Sequence, residues 1–150
     1  MKKILLCFTI VACSLLLASC QSSYERAPKI EIEGSWRGDI PSEYPTSQYG
    51  KLFIDFNNGV AKVSSSASPT SGWYDGEGTY KKEGDKILFD IKLKTPDFMA
   101  SIAESYPKYK ITHADNITKS GMGNTPIFKL HFNKTVNGET SSNWMWMTKY

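Results

Sequence analysis

Beyond residue 20 this chain contains no cysteine, since its three thiols are Cys7, Cys13 and Cys20. The stretch that follows therefore has no disulfide, no cysteine–zinc cluster and no thiol nucleophile. Histidine is nearly as scarce: there are two, His113 and His131. They lie on different predicted strands with no Glu or Cys at ligand spacing, so no zinc motif is expected and each reads as an ordinary surface or edge histidine. Serines are plentiful, but none sits in a Gly-x-Ser-x-Gly turn or beside a His–Asp pair. Asp75 and Glu77 lie two apart and share one strand face, as paired acids in glycosidases do, but also as surface carboxylates commonly do. Gly76-Glu77-Gly78 and Gly121-Met122-Gly123 read as turns or bulges, because neither opens a helix as a phosphate loop must. No catalytic set can be assembled, so the expectation is a non-enzyme with no catalytic residue, no metal and no cofactor. A surplus of one charge is also lacking. Without Lys2 and Lys3, sixteen basic residues face fifteen acidic ones, which argues against nucleic acid or anionic membrane surfaces as partners.

The one long apolar run is at the start. Lys2-Lys3 precedes Ile4 to Leu17, about 14 residues, which is short of the roughly 20 that span a bilayer as a helix. A basic n-region, an apolar core and small residues at the end form a secretory signal. Its last four residues, Leu17-Ala18-Ser19-Cys20, resemble the bacterial lipoprotein box. That resemblance implies removal of residues 1–19 and attachment of acyl chains (palmitate among them) to Cys20. An ordinary cleaved signal and a retained anchor are the alternatives. Each buried CH₂ contributes about 0.8 kcal/mol, and stable anchoring needs more than one chain. The expected membrane contact is thus the lipid on Cys20. Gln21 is not the Asp that retains many lipoproteins at the inner membrane, and Gln21-Ser22-Ser23-Tyr24-Glu25 holds one acid. The expected location is the cell envelope, at the outer membrane rather than the inner, on its periplasmic side.

Residues 20–33 carry no sustained hydrophobic period and read as a lipidated N-terminus and tether, able to hold the domain up to roughly 40 Å from the lipid. Ile30 and Ile32 alternate with charge there. From Gly34 the pattern is that of an antiparallel β protein. Leu52, Ile54 and Phe56 share one face, Asn57-Asn58-Gly59 is a tight turn, and Val60 to Val63 returns. Trp73 to Tyr80, a turn at Glu83-Gly84-Asp85 and Lys86 to Leu93 make a second hairpin, with Ile87, Phe89, Ile91 and Leu93 on one face. Ile127 to Phe132, a turn near Asn137-Gly138 and Asn143 to Lys149 make a third. Ser64 to Ser71 reads as a polar loop. Phe98, Met99, Ile102 and Tyr106 fall at near-helical spacing between Pro96 and Pro107, so one short helix is expected near 96–107. The segment 94–126 departs from the even spacing of strands and turns elsewhere. The expected fold is all-β, an antiparallel meander closing into a barrel or half-barrel as one domain over 34–150.

Gly34-Ser35-Trp36-Arg37-Gly38 resembles the Gly-x-Trp opening of lipocalins. Gly78-Thr79-Tyr80, Gly84-Asp85-Lys86-Ile87 and the closing Trp144-Met145-Trp146-Met147-Thr148-Lys149 agree with it in order and spacing. Together they are similar to the short lipocalin-like lipoproteins of Gram-negative envelopes, over about residues 34 to 150. The resemblance implies a structural signature of Gly34, Trp36 and Lys149, the last stacking over the tryptophan. It also implies a barrel that binds a small apolar ligand. Leu52, Ile54, Phe56, Phe89, Ile91, Phe128, Leu130 and Phe132 would line its cavity or, equally, pack its interior solid. Trp144 to Met147 are apolar on both faces of one strand, so the outward pair must be covered by the chain itself or by a partner. An envelope interaction or inhibitor module, with Tyr44, Tyr49, Trp73 and Tyr74 as exposed anchors, is the alternative function.

Overall fold

The computed structural model describes residues 32–41, 50–115, 117–120 and 123–150. Cys20, the tether up to 31, and Tyr44 and Tyr49 lie outside them. Nine strands follow in order: β1 (Gly34–Asp39), β2 (Lys51–Asn57), β3 (Val60–Ser65), β4 (Gly76–Glu83), β5 (Lys86–Leu93), β6 (Lys108–Ala114), β7 (Thr118–Lys119), β8 (Pro126–Val136) and β9 (Glu139–Lys149). Neighbours pair antiparallel from β1 through β6, β9 pairs with both β8 and β1, and β6 pairs with β8. That last pairing closes the sheet. The two-residue β7 also pairs with β8, beyond the point where β6 leaves it, so β6 and β7 together form one interrupted stave. The result is a closed eight-stave barrel rather than a half-barrel, and the segment 94–126 supplies one of its staves.

Alternation decides which side chains enter. Leu52, Ile54 and Phe56 point in from β2, Ala61 and Val63 from β3, Ile87, Phe89 and Ile91 from β5, and Phe128, Leu130 and Phe132 from β8; all are buried in one cluster. Between them the outward rows are charged, with Asp55, Lys62, Glu77, Lys81, Asp90 and Lys92 all exposed. Such rows suit water and not a lipid-facing band. No helix among the described residues is long and apolar enough to cross a membrane.

The two ends of the barrel differ. At one end β2–β3 and β4–β5 are joined by tight turns, and the chain both enters β1 and leaves β9. Asn58 (φ 49°) and Gly59 (φ 78°) adopt the left-handed conformation that such hairpin turns need. At the other end the connections 40–50, 66–75 and 94–107 are long, and only Asn137-Gly138 is tight, again with both residues at positive φ.

The expected helix at 96–107 is not an α-helix. Asp97–Met99 and Ala103–Ser105 form two separate 3₁₀ turns. Only Met99 of the four apolar positions is buried, while Phe98 is 73% and Ile102 46% exposed, so no continuous apolar stripe exists to hold a longer helix down. The strand expected to start at Trp73 begins instead at Gly76. The cause is Gly72, at φ 78° after a 3₁₀ turn, where a Cβ would sit 1.9 Å from the Pro107 carbonyl oxygen. Trp73 thereby swings into the core and Tyr74 is buried beside it, 2% and 9% exposed, so neither is the surface anchor the alternative function required. Gly76-Glu77-Gly78 is neither turn nor bulge but regular β4 backbone paired to β3 and β5. Gly121 and Met122 lie outside the described residues.

Candidate functional site

The eight interior side chains named from the sequence divide along the barrel axis. Phe56, Phe89 and Phe128 gather toward the end with the tight turns. The Phe56 ring stacks on Phe89 at 5.7 Å and meets Phe128 edge-on at 6.4 Å. These rings come from staves three positions apart on either side of β2, so they meet across the lumen and plug it. Trp36 adds to the plug. It is fully buried, packs edge-on against Phe128 at 4.7 Å, and its Nε1 donates to the Ile32 carbonyl at 2.6 Å. Lys149 Nζ stands 5.6 Å from its ring centroid. Gly34 lies beside this lysine, where a Cβ would come 3.1 Å from Lys149 Cε. Leu52, Ile54, Ile91 and Leu130 follow along the interior, all buried.

Phe132, nearest the long-loop end, borders a cleft. This cleft, of about 490 Å³, opens at the long-loop end and is lined by Pro41, Trp73, Tyr109, Phe132, Lys134, Ser141, Ser142, Asn143 and Trp144. The inward rows of β8 and β9 explain its character. Phe128, Leu130 and Phe132 give way to Lys134, and Met147 and Met145 give way to Asn143 and Ser141, so both rows turn from apolar to polar toward their shared hairpin. Trp73, delivered by the Gly72 bend, lies flat on Tyr109 at 4.2 Å and edge-on to Phe132 at 5.0 Å. Burial raises the Tyr109 phenol above its ordinary value, against a hydrogen bond from Trp73. The phenol is thus neutral at physiological pH. A wall of aromatic faces with a polar rim is the usual make-up of a small-molecule site of this size.

The candidate acids have structural partners. Asp75 Oδ1 accepts from the Ser65 amide at 3.0 Å, and Glu77 pairs with Lys94 at 3.1 Å. Both border a shallow polar depression on the outer wall with Asp55 and Lys62. Trp144 and Trp146, outward on β9, remain 49% and 47% exposed. Among the described residues no 3₁₀ turn makes ring contact with them. Lys129 lies between them instead, 4.6 and 5.3 Å from the two ring centroids.

One constellation could not be read from sequence spacing. β6 carries a bulge between Ile111 and His113, so that Ile111 opposes Phe132 and His113 opposes His131. The two imidazoles stack in parallel at 4.3 Å on the outer wall. Asp115, two residues past His113, approaches both: its Oδ2 lies 2.8 Å from His131 Nε2 and its Oδ1 3.9 Å from His113 Nε2. That hydrogen bond from His131 holds the Asp115 carboxyl below its usual range. Burial, then the neighbouring His131 and Lys86, lower His113, against the pull of Asp115. The signal that could have found this cluster was His113-x-Asp115 on one strand face; the bulge that aligns it with His131 leaves no mark in the sequence.

Comparison with protein families, curated proteins and solved structures yields no match to this chain.

Proposed function

We propose that this protein is a lipid-anchored, non-catalytic binding module of the bacterial cell envelope, tethered through Cys20 and taking a small molecule at the open end of its barrel. The observation that carries the reading is the cleft in which Trp73, stacked on Tyr109, stands beside Phe132 under a polar rim of Asn143, Ser141 and Lys134. An occupant suited to it has a flat or apolar body to lie on the rings and a polar group to meet the rim. This revises the lipocalin-like expectation of a ligand deep in the barrel, because the Phe56, Phe89 and Phe128 rings already meet across the lumen. The lipoprotein-type leader supports the location, and the charged outward rows support a barrel that stands in water beside the bilayer. The chain enters β1 at the plugged end, so the cleft lies at the opposite end of the barrel from Gly34.

Native mass spectrometry of protein extracted gently from its own membranes tests the reading. A retained small molecule is expected, and Ser141→Trp, which fills the cleft from its rim without touching the core, should abolish retention while leaving the melting temperature within a few degrees. Empty protein that also takes up nothing saturably from an envelope extract would sink it. The half-exposed Trp144 and Trp146 favour a second reading, a protein-contact wall. In that case the same extraction would recover a stoichiometric protein partner and no small molecule.

A further inference from the structure

We propose that His113, His131 and Asp115 form a divalent transition-metal site on the outer wall of the barrel. It is separate from the cleft, which none of the three lines, so it stands or falls independently of the binding function. The donor atoms are two imidazole nitrogens and one carboxylate oxygen, all within 4.8 Å of one another. With bonds of about 2.0–2.2 Å, the ligand atoms of a tetrahedral ion lie roughly 3.4 Å apart. The Asp115 carboxylate already spans the two rings, its Oδ2 2.8 Å from His131 Nε2 and its Oδ1 3.9 Å from His113 Nε2, so a small rotation of the carboxylate brings one oxygen to that spacing from both nitrogens. The stacked rings must tilt toward each other by rotation about χ2, which their place on an open wall permits. All three residues are partly exposed, leaving room for water or another ligand on the solvent side. Imidazole with carboxylate suits Zn²⁺, Cu²⁺ or Ni²⁺ better than Mg²⁺ or Ca²⁺.

The strongest argument is the hydrogen bonding behind the ligands. Thr112, the residue at the bulge, has one hydroxyl proton and donates it to the His131 carbonyl oxygen at 3.1 Å. Its Oγ1 also lies 3.1 Å from His113 Nδ1 and can only accept there. Neutral His113 therefore carries its proton on Nδ1 and presents the lone pair of Nε2 toward Asp115. Metal-ligating histidines are typically oriented in this way by a partner on the other ring nitrogen. At present His131 donates an Nε2 proton to Asp115. On metal binding that proton moves to Nδ1 of the same ring and the cation takes its place between imidazole and carboxylate. The ligand set brings a single negative charge, and Lys86 bears on both His113 and Asp115. Both facts weaken the site relative to one with a second carboxylate and no cation nearby.

The full chain, purified in detergent without a histidine tag and stripped with chelator, is titrated with Zn²⁺ by calorimetry near neutral pH. One equivalent is expected to bind. His113→Ala, His131→Ala and Asp115→Asn should each weaken binding about tenfold or more, and Thr112→Val by about tenfold through lost orientation of His113. Asp75→Asn, on another part of the wall, should change nothing. Cu²⁺ should quench Trp144, which sits opposite His131 in the β8–β9 ladder, and Trp144→Phe should remove most of that quenching. Nitrogen NMR of the unmodified protein provides a readout that no variant's folding can confuse: on adding Zn²⁺ the Nε2 signals of both rings should move. Unmoved Nε2 signals, no saturable uptake below about 100 μM, or uptake that persists undiminished in the His113→Ala/His131→Ala double variant would each overturn the proposal.

Discussion

Tyr109 shows how a single residue acquires its properties from neighbours far away in sequence. Its phenol is pressed against Trp73 by the bend at Gly72, and burial there raises its pKa above the ordinary 10.0. The folded state thus disfavours the phenolate. The stabilisation linked to this shift is fully present below about pH 10, the unfolded value, and is lost as pH rises through the higher folded value. Thermal melts from pH 9 to 11.5 should therefore show the unmodified protein losing stability more steeply than Tyr109→Phe, which has no proton to release. Parallel slopes would mean that the phenol is not held by the cleft. Trp36 is a similar case at the opposite end. Its partners Ile32, Phe128 and Lys149 come from the entry to β1, from β8 and from β9, so one side chain ties together the start and finish of the barrel.

Among the elements, β9 states the logic of the sheet most plainly. Met145 is 3% exposed, whereas Trp146 beside it is 47% exposed. By residue type alone the tryptophan would be the costlier loss. The register reverses that order. Met145→Ala should destabilise by about 2–5 kcal/mol, as truncation of a buried methionine does, and Trp146→Ala by no more than about 1 kcal/mol, as for a surface position. Urea unfolding of the two variants checks both the register and the assignment of the outer wall. The same strand shows where sequence reading stops. Its half from Asn143 on was legible as strand from its run of aromatic and apolar residues, but being apolar on both faces it did not show which pair enters the barrel. Residues 139–142 were not, because Glu139, Thr140, Ser141 and Ser142 are polar on both faces, and it is pairing with β8 that makes them strand. β6 is the other such case. Its bulge between Ile111 and His113 brings His113 opposite His131.

At the scale of the whole molecule, the barrel is polar along its axis, plugged by rings at the end where the chain enters and open at the end with long connections. Anchoring and folding should then be separable. If Cys20 carries the lipid, Cys20→Ser should abolish incorporation of labelled palmitate and release the protein from the membrane fraction. The thermal melt should stay unchanged, since the described barrel over 34–150 carries its own core. Incorporation of palmitate that survives the substitution would refute the assignment of the anchor.

Alternation of apolar residues with period two, and turns written as Asn-Gly or Gly-Asp, were enough for the sequence to determine an antiparallel all-β chain and about half of the side chains in its core. Those signals are local, arising from the pleat and from the residues that tolerate positive φ. Tertiary structure alone decided that the sheet closes through β6 and β8, that the lumen is plugged rather than hollow, that Trp73 is inside, and that two histidines and an aspartate share one spot. Each of these depends on distances between staves, and no spacing along a single strand encodes those.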